Sequence, residues 1–142
     1  MSWRSCASLE NRNNKMRKLL AIIASAFVTA GAAFAGSDIS VSELEKAIEA
    51  KEVVVIDVNG TASYKEGHIP TAIDFQGTKN LAKALPEDKD ALIVAYCGGP
   101  QCGAHARATA AAEKLGYTNV KHLSAGISGW KAAEKELEKA KS

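Results

Sequence analysis

The run Leu92-Ile-Val-Ala-Tyr96 constrains this chain more than any other stretch. It is apolar without alternation, the pattern of a strand covered on both faces. It stops at Cys97. Gly98-Gly-Pro-Gln-Cys102-Gly103 then turns the chain, and an Ala-rich segment of helical spacing comes next. Strand, turn and helix in that order place Cys97 at the carboxyl end of a strand, where open α/β sheets hold their ligands. The N–H groups of the turn and of the helix start, with the positive end of the helix dipole, are a setting for a reactive thiolate.

The rest of the pattern agrees with such a sheet. Val53-Val-Val-Ile56 is a second continuous β-branched run, ended by Asp57 and turned by Asn59-Gly60. Before it, Val41, Leu44, Ala47 and Ile48 recur at helical spacing, with Ser42/Glu45 or Ser40/Glu43 as a capping box. A short helix is expected over 62–66, a turn at Gly67-His68-Ile69-Pro70, a short strand over 72–75, and a short helix over 79–85 stopped by Pro86. After the cysteine loop, Ala104, Ala108, Ala111, Ala112 and Leu115 share one helix face, and Gly116 closes it. A last strand over 120–123 precedes a helix predicted over 126–140, with Ile127, Trp130, Ala133 and Leu137 on its apolar side. Strands alternating with helices predict one doubly wound α/β domain: a parallel sheet of four or five strands with helices on both faces.

The chain of 142 residues carries a formal net charge of +2, but unevenly. Residues 1–35 hold Arg4, Arg12, Lys15, Arg17 and Lys18 against Glu10, so the remainder is mildly acidic. Nothing in that remainder reads as a nucleic-acid footprint. Met16-Arg17-Lys18 is a basic start, residues 19–30 are an apolar run, and Ala33-Phe34-Ala35 is a small-x-small cleavage site. Those parts make a secretory signal peptide, with translation starting at Met16 and cleavage after Ala35. The expected mature product is a single exported domain, residues 36–142, in the periplasm and without stable membrane insertion. Cys6 falls in the discarded part, leaving Cys97 and Cys102. In an oxidising compartment, two cysteines so close at a strand–helix junction are an oxidisable pair or one working thiol with a neighbour.

Several landmarks, taken together, resemble the rhodanese-like domain family. They are Val55-Ile56-Asp57-Val58, Tyr64-Lys-Glu-Gly67-His68-Ile69-Pro70-Thr-Ala72, the strand ending in Tyr96-Cys97, Leu115-Gly116-Tyr117-Thr-Asn-Val120, and Ala125-Gly126-Ile-Ser-Gly-Trp130. The resemblance implies a five-stranded parallel sheet and a sulfurtransferase whose cysteine carries sulfane sulfur as a persulfide. The sulfur would pass from a donor such as thiosulfate or polysulfide to cyanide or a thiol. On that reading Cys97 is the catalytic nucleophile. Gly98, Gly99, Gln101, Cys102, Gly103, Ala104 and His105 surround the persulfide anion, with Gly98 and Gly99 supplying unusual backbone geometry. Asp57 and Arg107 are candidate supports of the pocket, and no cofactor is implied. Cys97, Cys102 and His105 are too few for a metal site.

The chain also departs from the family pattern. Many of these sulfurtransferases carry Arg five positions after the cysteine; here that position is Cys102, and the loop is about two residues longer. Thiosulfate is therefore the weaker donor. Gly103 stands where the related Cys-x5-Arg phosphatases need Arg, which argues against a phosphatase. Asn59 and Ser63 replace the usual Arg and Glu around the second strand. Two other readings stay open: a thiol redox protein cycling a Cys97–Cys102 disulfide, and a non-catalytic binding module. His68 and Trp130 are expected to be structural.

Overall fold

The computed structural model describes residues 36–140; the expected leader and its cleavage site lie outside the described residues. The strands are β1 (Ser37–Asp38), β2 (Val53–Asp57), β3 (Ile73–Asp74), β4 (Leu92–Tyr96) and β5 (Val120–Leu123). The helices are α1 (Val41–Glu49), α2 (Thr61–Glu66), α3 (Leu81–Ala84), α4 (His105–Lys114) and α5 (Gly126–Ala132). The five strands form one sheet in the order β1-β5-β4-β2-β3, and every pairing is parallel. Among the described residues, no helix is long and apolar enough to cross a membrane.

The central strand β4 shows why an unbroken apolar run was needed. Its side chains alternate between two cores. Ile93, Ala95 and then Cys97 join Ile56, Val120, Ala108 and Ala112 on the face covered by α4. Val94 and Tyr96 join Val55, Leu44, Leu123 and Trp130 on the face covered by α1 and α5. Each large aliphatic side chain so buried is worth about 1.5–3 kcal/mol. Helix α1 starts from the Ser40/Glu43 capping box; the Ser40 hydroxyl accepts the Glu43 N–H, and Glu43 accepts the Ser40 N–H at 3.0 Å.

The last helix is shorter than its spacing predicts. Helix α5 ends at Ala132, and Glu134 takes a left-handed φ of 56°. Beyond that point tertiary bonds outweigh helical propensity. The Trp130 indole N–H donates to the Glu136 carbonyl at 2.7 Å, and Lys135 pairs with Glu45 at 2.7 Å. Leu137 packs on the α1–α5 core, and Glu138 forms a backbone bridge with His68. Buried His68 stacks on Tyr64 and its Nδ1 lies 2.8 Å from the Tyr64 carbonyl, so it holds the turn and takes no part at the cysteine.

Candidate active site

Cys97 comes directly after the last residue of β4 and is buried. The pleat turns its sulfur toward α4. Helix α4 begins without a side-chain cap. Its first N–H groups therefore need other acceptors: those of Ala106 and Arg107 donate to the Gly103 and Ala104 carbonyls, each at 3.1 Å, and two sulfur atoms serve the groups before them. The N–H groups of His105 and Gly99 are directed at the Cys97 sulfur, and those of Ala104 and Gly98 at the Cys102 sulfur. The Cys97 thiol donates to the Cys102 carbonyl at 3.0 Å and also faces the Cys102 sulfur. His105 Nδ1 lies 3.6 Å from Cys97 Sγ.

The loop thus has two sulfur sites with opposite acidities. Burial, and then the adjacent Cys102, raise the Cys97 thiol above its ordinary value; the two N–H groups do not offset them. Hydrogen bonding from Cys97, then from the N–H groups of Ala104 and Gly98, lowers the Cys102 thiol. The sequence points to a thiolate at Cys97. The structure instead raises the Cys97 thiol and lowers that of Cys102, because Cys97 is buried and Cys102 only partly so.

The structure places the remaining candidates unevenly. Gly98, Gly99, Cys102, Ala104 and His105 converge on the sulfurs. Gln101 and Gly103 are exposed, and nothing lies within 4 Å of a Cβ built on Gly103. Arg107 sits in the first turn of α4 with its side chain exposed, and it reaches neither sulfur among the contacts described. Asp57 lies on the opposite face from the Cys97 sulfur. It accepts the Tyr96 hydroxyl at 2.5 Å and the Asn59 N–H at 2.7 Å, so it fixes the strand end through its neighbours and also caps the turn.

The conformational freedom expected of Gly98 and Gly99 is not what the loop uses, since neither has a positive φ. The required glycine is Gly126, at φ +59°, where a Cβ would stand 2.5 Å from Gly99 N and 2.6 Å from the Cys97 carbonyl. That close approach lets the start of α5 grip the loop: Ile127 N–H donates to the Cys97 carbonyl at 2.9 Å, and Ser128 N–H to the Gly98 carbonyl at 3.0 Å. A cavity of about 260 Å³ lies between α2 and α5, lined by Asn59, Ser63, Glu66 and Lys131 among others, and no residue of the cysteine loop lines it. The buried Asn59 Nδ2 has no hydrogen-bond partner there.

Sequence reasoning missed His122 and Asp38. Register pairs His122 on β5 with Ala95 on β4 and with Asp38 on β1, so all three share the α4 face with Cys97. The His105 and His122 rings stack with centroids 4.5 Å apart and planes 6° apart. The one signal in the sequence is a polar ring two residues after core Val120 on a strand. Among the described residues, no group of three or more His, Cys, Asp or Glu is placed to hold a metal ion.

A family model described as rhodanese-like domain matches residues 40–133. The chain is 39% identical over 95 residues to an HTH-type transcriptional regulator of Mycobacterium tuberculosis, covering 65% of this chain and 40% of that protein. It thus spans well under half the length of that relative. It is 30% identical over 101 residues to a thiosulfate sulfurtransferase of Pseudoalteromonas translucida, covering 69% of this chain and 91% of that one. Among solved structures, a protein of Bacillus halodurans matches with a TM-score of 0.63 and 30% identity, over 92% of this chain and 85% of the other.

Proposed function

The chain belongs to the rhodanese-like domain family, and from that premise we propose that it is a sulfurtransferase carrying sulfane sulfur as a Cys97 persulfide. The donor is thiosulfate or a polysulfide, and the acceptor is a thiol or cyanide. The observation that carries this reading is the buried Cys97 sulfur at the end of β4, with the His105 and Gly99 N–H groups directed at it. An anion formed there meets preorganised donors and the positive end of α4. The reaction has two steps. The Cys97 thiolate attacks the sulfane sulfur; the new S–S bond forms as the donor's bond breaks, and sulfite leaves with the electron pair if the donor is thiosulfate. The acceptor thiolate then attacks the outer sulfur, and Cys97 leaves as thiolate. No Arg faces the sulfur in the loop, which supports polysulfide over thiosulfate as donor. We also propose export to the periplasm through the segment before Gly36.

A second reading has its own support. The Cys97 thiol donates to the Cys102 carbonyl and faces the Cys102 sulfur, so oxidation to a disulfide is a competing fate of the same pair. Intact-mass measurement after incubation with thiosulfate or tetrasulfide distinguishes the two. The expected result is a gain of about 32 Da, one sulfur atom, that is lost in Cys97→Ser and kept in Cys102→Ser. A loss of about 2 Da reversed by dithiothreitol, with no sulfur adduct, supports the redox reading instead. No modification with any donor overturns both and leaves a binding module.

A further inference from the structure

The Cys97 thiol must lose its proton before it can attack a sulfane sulfur, and beside the Cys102 sulfur that it faces an imidazole stands within reach. It is buried, so water does not reach it freely. His105 Nδ1 is 3.6 Å away, at the first residue of α4. Behind His105 stands a second imidazole, His122, stacked face to face at 4.5 Å. Behind His122 stands a carboxylate, with Asp38 Oδ1 3.9 Å from His122 Nε2. The Ser124 N–H and hydroxyl hold Asp38 in place, each at 2.8 Å. Four residues from four different parts of the chain thus form one line from the buried sulfur to the surface.

We propose that His105 is the proton carrier of Cys97, a catalytic residue, and that His122 and Asp38 are positioning residues that hold its ring in place. Two parallel imidazoles at this separation disfavour a second positive charge. Asp38 Oδ1 lies beside the His122 ring, on the side away from the thiol. His105 is left neutral, with a lone pair free for the thiol proton. Burial, then His122, lower the His105 imidazole below its ordinary value; the Cys102 carbonyl and Asp38 act in the opposite sense without prevailing. The other titratable groups facing the pair are Cys97 at the end of β4 and Cys102 in the loop. Arg107 on α4 is exposed, and Lys121 lies on the opposite face of β5, where it acts on Glu43.

The proton moves from Sγ to Nδ1, giving thiolate and imidazolium. The thiolate displaces the donor's leaving group and becomes the persulfide anion. In the second half the acceptor thiolate takes the outer sulfur. The departing Cys97 thiolate then recovers the proton from His105, restoring thiol and neutral imidazole. No oxidant or reductant is consumed. The direction of sulfur flow rests on the sulfurtransferase reading, but the proton path does not.

The test therefore uses a reaction without sulfur transfer: alkylation by iodoacetamide in the full chain, located at Cys97 rather than Cys102 by fragment ions in tandem mass spectrometry, from pH 5 to 10. The expected wild-type profile has a lower rise below pH 6.5, a plateau, and a second rise above pH 9, from the directions of the His105 and Cys97 shifts. His105→Gln is expected to erase the lower rise and slow alkylation at pH 7 by at least about tenfold. His122→Phe keeps a stacked ring but removes the second imidazole, and is expected to move the lower rise to higher pH. His105→Asn serves as a second variant, with near-ultraviolet circular dichroism of each protein as the check on folding. A His105→Gln or His105→Asn profile that overlays the wild type in a folded protein overturns the proposal. A lower rise unmoved by His122→Phe overturns the positioning role. Loss of persulfide formation alone, with these profiles as expected, counts against the sulfurtransferase reading and leaves the proton path standing.

Discussion

Removing one oxygen atom from Tyr96 should cost this domain a large part of its stability. The Tyr96 side chain is fully buried. Its hydroxyl donates to Asp57 Oδ2 at 2.5 Å and accepts the Ile69 N–H at 3.0 Å. Burial, and then the bond to Asp57, push the hydroxyl far above its ordinary value, so it stays a donor at every accessible pH. Tyr96→Phe keeps the ring and its packing. It removes a hydrogen bond to a carboxylate, worth about 1.5–3 kcal/mol, and leaves the buried Ile69 N–H without a partner, at about 1–3 kcal/mol. The sum is about 2.5–6 kcal/mol, against a total stability of about 5–15 kcal/mol for a small domain. In thermal terms that is a fall of roughly 10–50 °C in Tm. Urea unfolding monitored by circular dichroism measures it, with Tyr64→Phe as the control. Tyr64 gives its hydroxyl to the Ala72 carbonyl at 2.7 Å in a half-buried site, so the control should lose about 1 kcal/mol. Asp57→Asn and the double variant complete a cycle whose coupling should exceed about 1 kcal/mol. If Tyr96→Phe loses no more than Tyr64→Phe, the hydroxyl is not the partner these buried groups depend on, and the reasoning fails.

Local geometry sets two further outcomes. Gly126→Ala should destabilise the domain by at least about 2 kcal/mol in the same urea assay, since its Cβ would meet the backbone of Cys97 and Gly99 and its φ is left-handed; a loss under about 0.5 kcal/mol would show that α5 can shift without cost. Burial works against the Asp38 carboxylate, yet the Ser124 bonds and His122 outweigh it and lower its pKa below 3.8. The stability it contributes is therefore present above pH 3.8 and lost as pH falls through the folded value. Asp38→Asn should flatten the acid limb of Tm measured from pH 2 to 6, and an unchanged slope would rule Asp38 out as a contributor.

The sequence by itself determined the sheet and the position of the nucleophile candidate. Two unbroken apolar runs, at 53–56 and 92–96, can be buried only between layers, and each pairs with the other in the sheet. The strand that stops at Cys97 and the glycines and alanines after it place that sulfur at a helix start, because these features are local. The tail after Ala132 departs from its own spacing for the opposite reason. That spacing is helical, but Trp130, Leu137 and Glu138 hold the tail against groups outside any regular helix, and those contacts outweigh propensity. The acidities of the two thiols were also beyond the sequence, since burial sets them and burial is a property of the packed molecule. His105 stood beside the cysteine in sequence, but nothing local joined it to His122 or Asp38. Parallel register alone brings Asp38, His122 and Ala95 into one row beneath α4. The chain specified which residues were available; only the crossover order of the strands decided which of them face the sulfur.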